Sequence, residues 1–240
     1  MSRAVSFARV AVAVVVVVVG GASGFAGCSP VDARDYGAQL FADETLTQSE
    51  FNSFSCATCH AVNGAGPAMP AGYDLAGSAF RQSFWGGSTT TLLDAVNHCV
   101  TFYMRGAPLD RNDVKGRALY EYLVSVTPER DTPGLPLTVV ENVRGVGRGS
   151  VDRGRAVWDG ACRSCHGEPN TGDGRINELA GIVPNDAAAF AAAAGFPVDV
   201  VVIEKIRHGS FFGVGGTMPL FSLEALSDDD VAALLAFLEL

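Results

Sequence analysis

The chain has little charge, and what it has is mostly of one sign. Lys and Arg number 17 against 26 Asp and Glu, a net charge of −9 over 240 residues, with 18% charged residues in all. No basic stripe gathers the few cations, which excludes nucleic acid as a partner class. A second absence is a hydrophobic run of membrane-spanning length: the longest, Val10 to Val19, has roughly half of the ~20 residues that a spanning helix needs. A third is any βαβ pattern, which removes the setting that a thioredoxin-like redox pair requires. Hydrophobic residues nevertheless make up 48% of the chain, enough for a packed interior and too many for wholesale disorder.

The N-terminal run reads as an export signal. Arg3 and Arg9 precede the Val-rich segment, and small residues from Gly20 to Gly27 lead to Cys28. Phe25-Ala26-Gly27-Cys28 resembles a bacterial lipobox, with Phe25 where a smaller aliphatic residue is usual. The resemblance implies cleavage after residue 27, lipidation of Cys28 and anchoring in a membrane, and Ser29 next to it implies the outer membrane. The expected location is periplasmic and lipid-anchored. Loss of the two leader arginines leaves −11, divided as −5 over Cys28 to Leu135 and −6 over Pro136 to Leu240. An acidic surface steers basic redox partners, and salt weakens that encounter.

Cysteine is scarce and patterned. Of six, four fall into Cys56-Ala57-Thr58-Cys59-His60 and Cys162-Arg163-Ser164-Cys165-His166. C-x-x-C-H is the pattern of covalent haem c attachment, in which two thiols three residues apart reach the two vinyl groups along one porphyrin edge and the next His ligates the iron. Two C-x-x-C pairs could also hold zinc, but 103 residues separate them. Structural disulfides are the other alternative in an exported chain. The repeated His favours two haems, held by Cys56, Cys59 and His60 and by Cys162, Cys165 and His166.

Around each motif the elements repeat. In the second copy, Gly154 to Trp158 begins a helical segment, Gly172-Asp173-Gly174 is a turn, and Pro197 to Arg207 reads as a helix. A Gly-rich loop then ends in Thr217-Met218-Pro219. Ser227 to Leu240 closes the copy, with a capping-box start at Ser227 and Asp230 and an apolar stripe of Leu234, Phe237 and Leu238. This order resembles a class I cytochrome c domain over nearly all of Ser150 to Leu240. The resemblance implies that Met218 is the distal ligand opposite His166, where a soft thioether raises the potential; gap-filling in a core is the alternative for a Met. His208 competes as a ligand by chemistry, with packing at a helix end as its alternative.

In the first copy, Gly37, Leu40 and Phe41 begin the N-terminal helix, and Asp43 to Ser53 is an insertion. Ala61 to Gly72 is a Gly/Pro-rich loop, Thr89 to Val100 a helix, and about Asp110 to Val124 another. Internal repetition makes Met104 the first distal ligand. The expected fold is all-α: two tandem class I cytochrome c domains, 28–126 and 150–240, behind a signal peptide of 1–27 and joined by a Pro/Gly-rich linker, 127–149.

Cys99 has no partner in this scheme. Asn97 to Gly106 resembles a motif of thiosulfate dehydrogenases and related sulfur-oxidising dihaem cytochromes, in which a Cys five residues before a Met and seven before a Gly ligates the active-site haem. Tyr103 and Arg105 stand where that motif carries Ser and Asn. A buried free thiol is the alternative for Cys99, and packing that for His98. The main expectation is therefore an electron carrier between redox partner proteins, not an enzyme. A sulfur-anion oxidising enzyme using Cys99, with Arg81, Arg105 and Arg111 as anion-attracting candidates, is the second reading. A dihaem peroxidase would need an iron with no distal ligand.

Overall fold

The computed structural model describes residues 31–64, 66, 69–127, 134–210 and 218–240. The leader and Cys28 lie outside the described residues. The expectation of an all-α fold is correct: among the described residues there is no strand, only an isolated antiparallel bridge between Phe84 and Thr89.

Two helix pairs carry the architecture. Helix α1, Ala33–Ala42, starts where the Asp32 carboxylate accepts the Arg34 N–H at 2.8 Å, and buries Gly37, Leu40 and Phe41. The short α2, Cys56–Cys59, holds the cysteines of the first C-x-x-C-H motif behind a capping box of Ser55 and Thr58. Helix α3, Leu92–His98, runs into a π-turn, Cys99–Tyr103. Helix α4, Val114–Ser125, is capped by Asp113, and its buried Ala118, Leu119 and Leu123 face α1. In the second copy, α5, Val151–Val157, continues as a π-turn, Trp158–Cys162, into α6, Arg163–His166. Helices α7, Asn185–Ala194, α8, Val198–His208, and α9, Asp228–Phe237, complete it.

The two pairs meet in the same way. A Cβ added to Gly37 of α1 would lie 2.1 Å from the Ala118 carbonyl oxygen and 2.6 Å from Tyr122 Cβ; one added to Gly154 of α5 would lie 2.0 Å from the Ala233 oxygen and 2.7 Å from Phe237 Cβ. Four residues on, Phe41 packs on Tyr122 at 5.5 Å between ring centroids, and Trp158 on Phe237 at 6.3 Å. The same crossing geometry thus occurs at both helix pairs. Gly154→Ala gains helix propensity but forces backbone apart at the crossing. It should cost about 1–3 kcal/mol, measured by denaturant unfolding of the holoprotein.

Some boundaries differ from expectation. Helix α3 begins at Leu92 rather than Thr89, because the Thr91 hydroxyl caps it by accepting the Asp94 N–H. Helix α4 begins at Val114 rather than near Asp110, because the Asp113 carboxylate takes the Gly116 N–H at 2.5 Å. The Ala-rich α7 was not anticipated.

The described linker residues are irregular but fastened. The Tyr73 hydroxyl donates to Pro136 O at 3.0 Å. Thr138 donates its N–H and hydroxyl to the Glu224 carboxylate at 2.8 and 2.6 Å, and its carbonyl accepts the Leu223 N–H. His208 Nε2–H donates to Val140 O at 2.5 Å. Residues Val31–Leu240 form one compact unit.

His208 also bonds the Glu204 carboxylate through Nδ1 at 2.7 Å. Both partners are acceptors, so the bonding suits a doubly protonated ring. Partial burial opposes the charge, but the bonds to Glu204 and to the Val140 carbonyl outweigh it and raise the pKa. With the folded pKa above the free value of about 6.5, the contribution is full below that pH and is lost as pH rises through the raised value. Hydrogen exchange around Val140, corrected for its intrinsic rate, should therefore quicken from pH 6 to pH 9, and His208→Gln should remove that difference.

Candidate functional site

Each C-x-x-C-H motif lines a cavity. The first is walled by Cys56, Cys59 and His60 from α2 and its end, Leu92, Ala95 and Val96 from α3, Cys99, Tyr103 and Met104 from the π-turn segment, and Leu119 and Leu123 from α4. The second is walled by Cys162, Cys165 and His166, by Val201, Val202 and Ile206 of α8, by Leu234 of α9, and by Met218.

The two histidines are prepared alike. His60 Nδ1 lies 2.7 Å from Tyr73 O, and His166 Nδ1 lies 2.8 Å from Gly181 O. A carbonyl can only accept, so each Nδ1 carries the proton and each Nε2 keeps a lone pair. A ligating imidazole needs that tautomer, with its ring fixed from behind. Burial lowers both pKa values, against the carbonyl bonds that raise them, so the neutral form is favoured.

The cysteines of the first cavity are thiols rather than thiolates. Burial pushes Cys56 up to about 11, and burial first, then the neighbouring cysteines, pushes Cys59 and Cys99 up to about 12. Cys165 is among the neighbours acting on Cys59, and it lines the first cavity as well as the second. Separation in sequence therefore does not keep the two motifs apart in space. Even so, among the described residues no group of three or more His, Cys, Asp or Glu is placed to hold a bare metal ion, and the described cysteines are unbridged.

Met104 is 3% exposed in the first cavity, and Met218 lines the second. The π-turn closes with the Met104 N–H on Cys99 O at 3.1 Å, so both Cys99 and Met104 reach the same cavity. His98 lines neither cavity; its ring lies between Trp85, at 4.4 Å, and Phe102, at 4.5 Å. His208 has both ring nitrogens engaged elsewhere. Of the three arginines considered for anions, Arg81 lines the first cavity, Arg105 the second and Arg111 neither.

Sequence reasoning passed over several residues. Met69, 5% exposed, lines both cavities, together with Phe54, Cys165 and Pro219. Ser78 is fully buried at the first cavity with its hydroxyl unpartnered, and Arg81 Nε there also lacks a partner. Two buried polar atoms left open on an otherwise apolar wall fit a bound group that carries carboxylates, as haem does. Arg207, 1% exposed, spans from α8 to the carbonyls of Phe221, Ser222 and Leu226 and to Asp228, at 2.6–3.3 Å. It fixes the chain just after Met218. A Cβ on Gly209 would meet Met218 O at 2.2 Å, so this stretch lies directly against the end of α8. An Arg in the last turn of a helix that ends at Gly209 was the available signal.

Residues 149–238 match the family model described as cytochrome c oxidase, cbb3-type, subunit III. The match covers the second haem motif and Met218. The match, over less than half of the chain, supports a cytochrome c domain with covalently bound haem c in this half, and with it an electron-transfer haem protein. No curated protein matches the chain.

Proposed function

We propose, from the premise of one cytochrome c domain in the chain, that the first half is a second such domain. On this reading the protein carries two haem c groups and relays single electrons between redox partners. The observation that supports it best is the duplication of the site. Each cavity has a C-x-x-C-H motif, a His with Nδ1 tied to a carbonyl and Nε2 free, and a Met side chain in the wall.

In this reading Cys56 and Cys59, and Cys162 and Cys165, would hold the groups covalently. His60 and His166 would ligate through Nε2, with Met104 and Met218 as the further ligands. Ser78 and Arg81 answer a carboxylate at the first site. The haem supplies the one-electron couple; the apolar walls exclude water, and the thioether ligands favour the reduced state. The wall shared through Phe54, Met69, Cys165 and Pro219 supports a short path between the sites. The acidic surface suits basic partners. Intact-mass measurement of the purified protein should find two haems attached; one haem would end the dihaem reading.

Export with lipidation of Cys28, and a periplasmic place at the outer membrane, belong to the same proposal. Cys28→Ala should move the protein from the detergent-soluble membrane fraction to the aqueous one.

The placement of Cys99 in the first cavity supports the second reading, oxidation of a thiosulfate-type anion. Its thiol, pushed up to about 12 by burial, stays protonated at neutral pH unless a metal displaces the proton. That reading requires that thiosulfate reduce the protein and that Cys99→Ala prevent it.

A further inference from the structure

The two cavities exchange wall residues, and the exchange runs through the segments that carry Met104 and Met218. Pro219 and Leu220, directly after Met218, line the first cavity. Arg105, directly after Met104, lines the second. Met104 and Arg105 therefore serve different cavities although they are consecutive. The backbone achieves this by turning at Arg105 with φ of 53°, a left-handed conformation that is costly for a residue other than glycine. Thr47 Oγ1 donates to Met104 O at 3.0 Å and the Gly106 N–H to Val100 O at 2.9 Å, which hold the turn from both sides. Across the boundary, Tyr103 shares the wall of the first cavity with Pro219 and Leu220.

We propose that Tyr103 and Arg105 are positioning residues of the second site supplied by the first half, so that the segment bearing Met104 helps to set the potential of the haem beside Met218. This rests on the two-haem reading. Arg105 brings a positive charge to the second cavity, which also has Lys205 and Asp186 in its wall. A cation there favours the less positive, reduced state of that site. Tyr103 stands with Leu220, two residues beyond Met218, in the wall of the first cavity, and so bears on the segment that carries that thioether. Coupling of this kind is reciprocal: whatever the Met104 segment does to the second site, the second site does to it.

The test uses the full-length holoprotein with Arg105→Gln, Arg105→Lys, Tyr103→Phe and, as a control, Phe102→Ala, whose exposed ring lines neither cavity. Intact mass is read first. Fewer than two haems in the unmodified protein defeats the two-haem reading, and with it the present proposal, before any potential is read. Potentiometric titration then follows both sites, assigned with variants lacking one C-x-x-C pair. The expected result is a fall in the second-site potential in Arg105→Gln, little change in Arg105→Lys, and a difference that shrinks at high salt. Tyr103→Phe should weaken the second site's His/Met signature in near-infrared magnetic circular dichroism, and Phe102→Ala should change neither site. The proposal is overturned if Arg105→Gln and Tyr103→Phe alter the first site alone or neither site, or if Arg105→Lys shifts the potential as much as Arg105→Gln.

Discussion

Replacing Cys56 and Cys59 together by serine should remove one covalent haem and leave the other in place. Each serine keeps nearly the size of the thiol but cannot form a thioether, so the change removes attachment without opening a large cavity. The first cavity's other walls, from α1, α3 and α4, pack in a core of their own. The Cys162 site draws on a separate core, built from Trp158, α8 and α9. The second haem should therefore stay attached, with its spectrum little changed except for what the shared wall transmits. The matching exchange at Cys162 and Cys165 should leave the first haem. Haem content by mass, with absorption in both redox states, checks this. Loss of both haems from a double variant would mean that the unaltered half does not assemble its site without the other.

The second large effect is expected at Arg207. Its guanidinium is buried, and three backbone carbonyls and one carboxylate take its N–H groups. Arg207→Met keeps much of the stem but strands the Phe221 and Leu226 carbonyls inside the second half, while Ser222 O keeps the Ala225 and Leu226 N–H groups. Each stranded acceptor costs about 1–3 kcal/mol, and breaking a buried pair about 3–5 kcal/mol. Asp228 is largely exposed and relaxes into water, so its part is small. A loss of about 3–5 kcal/mol in denaturant unfolding is the expected total. The chain that Arg207 pins, Phe221 to Leu226, follows Met218 closely, so the second site's His/Met signature should weaken while the first site's persists. Asp228→Asn should do far less than Arg207→Met, and equal effects would assign the stability to the ion pair rather than to the carbonyls.

What could be read from the residues was local. The C-x-x-C-H motifs, the apolar stripe of α9 with its Ser227 cap, and α8 are written in neighbouring residues, because attachment chemistry and helical periodicity act over a few positions. The insertion of Asp43 to Ser53 was visible as well, but not its use: Phe51 from it reaches the wall of the second cavity. Met69 sits in a Gly/Pro-rich loop with no period, so nothing local marks it as a residue shared by both cavities. Arg207 looks like a helix-end cation favouring the dipole, and only the return of residues 221–226 makes it a clamp. Linker residues Thr138 and Val140 gave no sign of being fastened, since Glu224 and His208 lie 86 and 68 residues further on. Helix starts at Thr91 and Asp113 were missed by a few positions because a capping side chain, not the apolar pattern, sets them.

Near-infrared magnetic circular dichroism of the oxidised holoprotein bears most directly on the central claim, because it reads the axial ligands of each iron. The account predicts two His/Met signatures, one lost in Met104→Ala and the other in Met218→Ala, with Cys99→Ala leaving both. A His/thiolate signature that vanishes in Cys99→Ala would contradict it, making Cys99 the first site's ligand and sulfur-anion oxidation the function to pursue.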